Sequence, residues 1–217
     1  MTLESFFKEN PKVALGFSGG TDSSYLLYAG IRYGANIKAY FVKTEFQPEF
    51  ELEDAHKLAK QIGAEIIVIE KSILASESVV LNPDNRCYFC KQEIFSTISA
   101  QAVADGIELV IDGTNASDNV AERPGVKALQ ELSVRSPLRE CGITKDEIRR
   151  LSKEAGLFTH SKPAYACLAT RILNNRRITK ELLQKVERVE TALFAAGFEN
   201  FRARVIDEKT MRLEFYE

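Results

Sequence analysis

The sequence predicts an α/β protein, a parallel sheet flanked by helices, with a small α+β part at its C-terminal end. Three observations carry this. Short apolar runs alternate with amphipathic stretches of ten or more residues, the spacing of βαβ units. Glycines stand where those stretches should stop, at Gly34, Gly63 and Gly106. Beyond about residue 140 the alternation gives way to an irregular tract, one long helix and a hairpin pattern.

Taken in order, residues 13–17 read as a buried strand and 22–33 as a helix stopped by Gly34. Residues 37–42 give a second strand, 51–62 a helix ending at Gly63, and 65–69 a third strand rich in isoleucine and valine. A helix over 93–104 stops near Gly106, and 108–111 form a fourth strand. A short fifth strand is expected just before Ser136-Pro137-Leu138. Thr144 with Glu147 three residues on has the form of a capping box, which predicts a helix over 145–155. Residues 158–178 read as irregular, with many small and basic residues. A helix over 180–196 stops at Gly197, and strands near 201–206 and 210–216 turn about Asp207-Glu208-Lys209. The chain divides into residues 1–140, the alternating α/β unit, and 141–217, a C-terminal region of different pattern. There is no internal repeat and no low-complexity tract.

The 217 residues are 45% hydrophobic and 28% charged, which suits one large domain with a small appendage. No apolar run approaches the ~20 residues of a membrane span. The start, MTLESFFKEN, lacks a secretory pattern, so a cytoplasmic location is expected. A net charge of −2 argues against a large nucleic-acid partner, although arginines gather late at Arg171, Arg176, Arg177, Arg202 and Arg204. In a cytosolic chain, Cys87-x-x-Cys90 points to metal or redox chemistry rather than to a disulfide.

The stretch Ser18-Gly19-Gly20-Thr21-Asp22-Ser23-Ser24 lies where the first strand meets the first long helix. A helix start carries unpaired N–H groups and partial positive charge, and glycines let the backbone approach phosphate oxygens. The Walker pattern is absent and no lysine follows Gly20. Ser18, Ser23 and Ser24 can donate hydroxyl hydrogen bonds, and Asp22 is explained as a Mg²⁺ holder. A second strand-to-loop junction, Asp112-Gly113-Thr114-Asn115 with Asp118, should open on the same sheet edge, with Asp112 and Asp118 as metal or ribose contacts.

The motif S-G-G-x-D-S resembles the PP-loop of the N-type ATP pyrophosphatases, whose fold is that of the adenine nucleotide alpha hydrolases. Together with "DGTNASD", with Asn82–Lys91 around Cys87 and Cys90, and with Lys162–Arg171 around Cys167, it resembles the LarE family. Arg123-Pro124-Gly125, Ser136-Pro137-Leu138 and "FRAR" (Phe201 to Arg204) fit as well, so the resemblance runs over nearly the whole chain. It implies an ATP- and Mg²⁺-dependent sulfur transferase acting on a small nucleotide in nickel-pincer nucleotide synthesis. A carboxylate is adenylated, pyrophosphate leaves, and sulfur displaces AMP. Some members sacrifice the cysteine at the position of Cys167. Others hold a [4Fe-4S] cluster on three cysteines and take sulfide or another sulfur donor, and Cys87, Cys90 and Cys167 place this chain with them. Thiolate ligation suits iron–sulfur or zinc, and simple packing of the cysteines is the bland alternative. By the same resemblance Arg171, Arg202 and Arg204 grip the substrate's phosphate or carboxylates, and Glu190 is an acidic active-site residue. A homo-oligomer is expected. Thr170 stands where the family often has serine, and familiar members continue beyond position 217. Cys141, His56 and His160 match no motif. Two other readings stay open at this point: a PP-loop tRNA thiolase, and a non-catalytic nucleotide- or cluster-binding protein.

Overall fold

The computed structural model describes residues 1–119, 124–207 and 209–216. Arg123, Glu208 and Glu217, which figured in the sequence reading, lie outside the described residues. Four strands form one parallel sheet: β1 (Lys12–Gly16), β2 (Asn36–Lys43), β3 (Ile66–Glu70) and β4 (Val110–Ile111), in the order β3-β2-β1-β4. Val13 pairs with Ile37 and Ala14 with Val110, so β1 is central. The expected fifth strand is reduced to one parallel bridge from Ile111 to Arg135. A separate antiparallel pair, β5 (Phe201–Val205) and β6 (Met211–Phe215), makes the small C-terminal sheet.

Alternation along β1 sends its side chains to two cores. Val13 and Leu15 join Phe6, Phe7, Leu26, Phe41 and Leu58, beneath α1 (Leu3–Glu9), α2 (Thr21–Arg32), α3 (Glu49–Ile62) and α8 (Lys145–Glu154). Ala14 joins Tyr40, Phe95, Ile98 and Leu129 on the opposite face, under α5 (Arg86–Ala104) and α6 (Pro124–Glu131). A third cluster links Phe46 and Ile73 to Leu168, Ile172, Val186 and Val205. It fastens α9 (Lys180–Ala195) and β5 to the sheet edge.

Several elements depart from expectation. α1 was missed because its reciprocal cap is built from Thr2 and Ser5 rather than from the usual Glu or Gln at the third position. Two single-turn helices, α4 (Glu77–Val80) and α7 (Pro137–Glu140), were also not foreseen. Most consequential, α5 begins at Arg86, seven residues before the predicted start at 93. Cys87 and Cys90 therefore lie in the first two turns of a helix and not in a loop. The sequence hid this because Pro83-Asp84-Asn85 reads as a turn.

The sheet order reverses between β1 and β4, since β2 and β3 lie to one side of β1 and β4 to the other. Ligands in open α/β sheets bind at such a switch point, outside the carboxyl ends of the strands. The glycine-rich loop follows β1 and the Asp112 loop follows β4, so both open there.

Candidate active site

Gly20 caps α2 in an extended conformation, and among the described residues no side-chain cap bonds the first N–H groups of the helix. Those donors and the positive end of the helix dipole are therefore open to an anion. Gly19 has φ +70°, and a Cβ there would come 3.1 Å from the Glu51 carbonyl oxygen. Position 19 thus requires glycine for backbone and for space. The Ser18 amide donates to Ser23 Oγ at 3.3 Å, the two hydroxyls lie 3.1 Å apart, and Ser23 Oγ donates to the Gly20 carbonyl at 3.2 Å. Ser18 and Ser23 line the cavity that the loop opens on, whereas the hydroxyl of Ser24 is buried inside α2 with no partner among the described residues.

The loop after β4 is pressed onto this turn. A Cβ on Gly113 would lie 3.0 Å from the Ser23 amide nitrogen. Asp112 accepts from Thr114 Oγ1 at 2.5 Å and from Ser136 Oγ at 2.6 Å, so both oxygens brace the loop. Asp118 accepts from the Asn115 amide at 2.9 Å. Asp22 is held from two sides: Asn115 Nδ2 donates to Oδ2 at 3.3 Å and Lys145 Nζ to Oδ1 at 2.8 Å. Lys145 had no signal in the sequence beyond being the first residue of a capped helix.

The PP-loop, the Asp112 loop and Cys87, Cys90 and Cys167 line one cavity of about 400 Å³. The segment carrying Cys167 does fold back over the sheet edge. Thr21 Oγ1 donates to the Thr159 carbonyl at 3.0 Å, Lys162 Nζ to the Gly19 carbonyl at 3.4 Å, and the Leu168 amide to the Phe46 carbonyl at 2.9 Å. A helix N-terminus normally lowers a thiol pKa, but here burial wins. Burial, followed by the neighbouring Cys167 and Cys87 sulfurs, pushes the Cys90 thiol up to about 12. Burial likewise raises Cys167, partly offset by the Arg86 guanidinium. Arg86 is itself buried between the two segments, bonded to the Asn82 side chain and, at 3.2 Å, to the Ala169 carbonyl. Among the described residues no three His, Cys, Asp or Glu side chains stand as a ready metal-binding group.

No family model matches the chain. It is 40% identical to an uncharacterized protein of Synechocystis sp., over 93% of this chain and 76% of that one. It is 28% identical to a pyridinium-3,5-bisthiocarboxylic acid mononucleotide synthase of Lactiplantibacillus plantarum, over 94% of this chain and 74% of that one. A more distant likeness is to a tRNA-specific 2-thiouridylase MnmA of Pseudothermotoga lettingae, 28% identical over 70% of this chain and 54% of that one. The chain belongs to the LarE family. Its place in the wider PP-loop superfamily follows from the fold and the MnmA likeness.

In this LarE-family chain the C-terminal residues expected at the substrate are engaged elsewhere. Arg171 and Glu190 are each 1% exposed. Arg171 pairs with Glu190, gives Nη1 to the Ala166 carbonyl and Thr170 Oγ1, each at 2.8 Å, and stacks on Tyr165. Glu190 also accepts from Tyr165 OH at 2.5 Å and from the Ala203 amide at 2.9 Å. Arg171, expected to grip an anion, and Glu190, expected in the active site, are bonded to each other as an internal tie, both away from water. Arg204 pairs with Glu214 at 2.6 Å and donates to the Thr170 carbonyl at 3.2 Å, while Arg202 lies over the Tyr216 ring. None of these four lines the cavity. A carboxyl the sequence did not single out sits near the PP-loop. Glu51 is half-buried, and burial pushes it up to about 7 against the pull of Lys162.

Proposed function

We propose that this LarE-family protein is a sulfur transferase that uses Mg–ATP to adenylate a carboxylate of a pyridinium dicarboxylate mononucleotide and then replaces AMP with sulfur. One observation carries the reading: the PP-loop and the three cysteines line the same cavity, so an acyl-adenylate formed at one would lie beside the other. The name of the Lactiplantibacillus relative, a bisthiocarboxylic acid mononucleotide synthase, supports the substrate class.

In this reading the open N–H groups of α2 and the hydroxyls of Ser18 and Ser23 hold the phosphates. A carboxylate oxygen attacks the α-phosphorus, the bond to the β-phosphate oxygen breaks, and pyrophosphate leaves with the electron pair. The sulfur nucleophile then adds to the acyl carbon and AMP departs. Asp22 would hold Mg²⁺, which would neutralise phosphate charge. Residues 1–140 serve the nucleotide and 141–217 the substrate and sulfur, with Arg202 and Arg204 the half-exposed guanidinium groups that would have to leave Tyr216 and Glu214 to hold a substrate phosphate.

Cys87, Cys90 and Cys167 are the residues that would hold a [4Fe-4S] cluster. Three thiols on one cavity fit its donor chemistry, and their protons must leave on binding. A cluster held by three thiolates would leave one iron open to carry sulfide. The second reading, sacrifice of Cys167 itself, draws on the same placement of that thiol. A homo-oligomer in the cytoplasm completes the proposal, with light scattering at micromolar concentration as its check.

The test is the fate of ATP with the pyridinium substrate and sulfide. AMP, pyrophosphate and a thiocarboxylate, formed together, are expected. ADP and orthophosphate would overturn the adenylating reading, and thiolation of bulk tRNA instead of the mononucleotide would move the protein to the MnmA-type chemistry.

A further inference from the structure

Arg86 and Arg171 are both buried, and they differ in one respect. Arg171 faces a carboxylate, Glu190. Arg86 is 6% exposed, and no Asp or Glu among the described residues pairs with its guanidinium. A buried charge without a counter-ion is costly, so such a group normally has a partner of opposite sign.

Part of the guanidinium is engaged by the fold. Nη1 donates to the Asn82 side chain and, at 3.2 Å, to the Ala169 carbonyl. Asn82 is itself buried and fixed, since its Nδ2 donates to the Ile172 and Leu173 carbonyls at 3.2 and 2.8 Å. Nη2 reaches no oxygen among the described residues, and its contact is Cys87 Sγ at 4.0 Å. Arg86 and all three thiols line the same cavity. The carboxylates of that cavity stand on the PP-loop side and are engaged there: Asp22 by Lys145, Asp112 by Thr114 and Ser136, Asp118 by the Asn115 amide. The other cation lining the cavity, Lys91, lies over the Phe95 ring at 4.7 Å. The sulfur end of the cavity thus carries a fixed positive charge that no carboxylate balances.

We propose that Arg86 holds the sulfur anion that feeds the reaction: the donors left over by the fold take hydrosulfide and keep it against Cys87, Cys90 and Cys167. This rests on the sulfide-fed reading above. A guanidinium suits the task because it is weakly hydrated and does not give up its proton, so it binds hydrosulfide without converting it to hydrogen sulfide. The held sulfur then adds to the acyl carbon, the bond to the AMP phosphate oxygen breaks, and AMP leaves with the electron pair. The sulfhydryl proton passes to water, and no electron is exchanged.

The test compares iodoacetate, an anion, with iodoacetamide, its neutral counterpart, at Cys87 of the full chain without added metal. One thiol meets both reagents, so the ratio of the two rates cancels its thiolate fraction and reports the local charge. In the parent, the iodoacetate to iodoacetamide ratio should be about threefold or more higher in the folded protein than in urea. Arg86→Met should lower the folded ratio by about fivefold, the effect of unit charges about 4 Å apart in water, and Arg86→Lys should hold it within about twofold. In turnover with Mg–ATP and the pyridinium substrate, Arg86→Met should raise the KM for sulfide by about tenfold and leave that for ATP unchanged. Equal ratios for the folded and unfolded parent, a measurement that needs no variant to fold, would make Arg86 a strut and overturn the proposal. An unmoved ratio or an unmoved KM for sulfide in folded Arg86→Met would overturn it too. If the ratios behave as stated but the parent makes no thiocarboxylate from sulfide, the anion site stands and the sulfide-fed reading falls instead.

Discussion

Arg171 and Glu190 meet through two hydrogen bonds, Nε to Oε1 at 2.8 Å and Nη2 to Oε2 at 3.1 Å, with both side chains removed from water. The pair joins the turn that follows Cys167 to α9, and through the Ala203 amide to β5. Taking one partner away strands the other charge in the interior, which costs about 3–5 kcal/mol, whereas replacing both by apolar residues costs far less. Glu190→Ala should therefore lower the urea midpoint sharply, and Arg171→Met with Glu190→Leu should recover most of the loss. Equal loss in the single and double variants would contradict the internal-tie assignment.

Glu51 gives the protein a pH dependence of defined sign. Its folded pKa is raised to about 7 from 4.5, chiefly by burial, so the folded chain binds the proton more tightly. The stability it contributes is full below the unfolded value and is lost as pH rises through about 7. Glu51→Gln should flatten the fall in thermal midpoint between pH 4.5 and 7. An unchanged slope would show that Glu51 titrates as an ordinary surface carboxyl.

Gly113 separates the two loops of the nucleotide site by no more than its missing side chain. Gly113→Ala puts a methyl 3.0 Å from the Ser23 amide nitrogen, so the Asp112 loop must back away from α2. A loss of about 1–3 kcal/mol in stability is expected. ATP affinity should fall by about tenfold or more, since small misplacements at such sites are costly. Normal ATP affinity in this variant would contradict the joint role of the two loops.

Thiol reactivity should follow burial. In metal-free protein at pH 8, Cys87 is exposed and should react first with iodoacetamide. Cys90 and Cys167, raised by burial, should lag by about tenfold or more. Mass spectrometry of timed samples gives the order, and simultaneous labelling of all three would contradict it.

Much of this was readable in the sequence because it is local. The strands, the helix stops and the Thr144 cap come from periodicity and side-chain chemistry within a few residues. The PP-loop is local too, and so is the tendency of both polar loops to share one sheet edge. What was missed depends on contacts across the chain. Lys145 reaches Asp22 over 123 residues, and nothing in "TKDEIRR" announces it. Arg171 and Glu190 looked like exposed or ligand-gripping charges, because only tertiary burial shows that they bond each other. The early start of α5 is likewise fixed from afar, by Arg86 reaching across to the Ala169 carbonyl.

The central claim is that the three thiols on the nucleotide cavity act together in sulfur transfer. The most direct measurement is the mass of the intact protein after reaction with Mg–ATP, the pyridinium substrate and excess sulfide under anaerobic conditions, with product counted per chain. The account predicts an unchanged Cys167 and several thiocarboxylates per chain, with turnover lost in Cys87→Ala. A protein lighter by the mass of one hydrogen sulfide molecule at Cys167 and a single product per chain, or full turnover in Cys87→Ala, would contradict it.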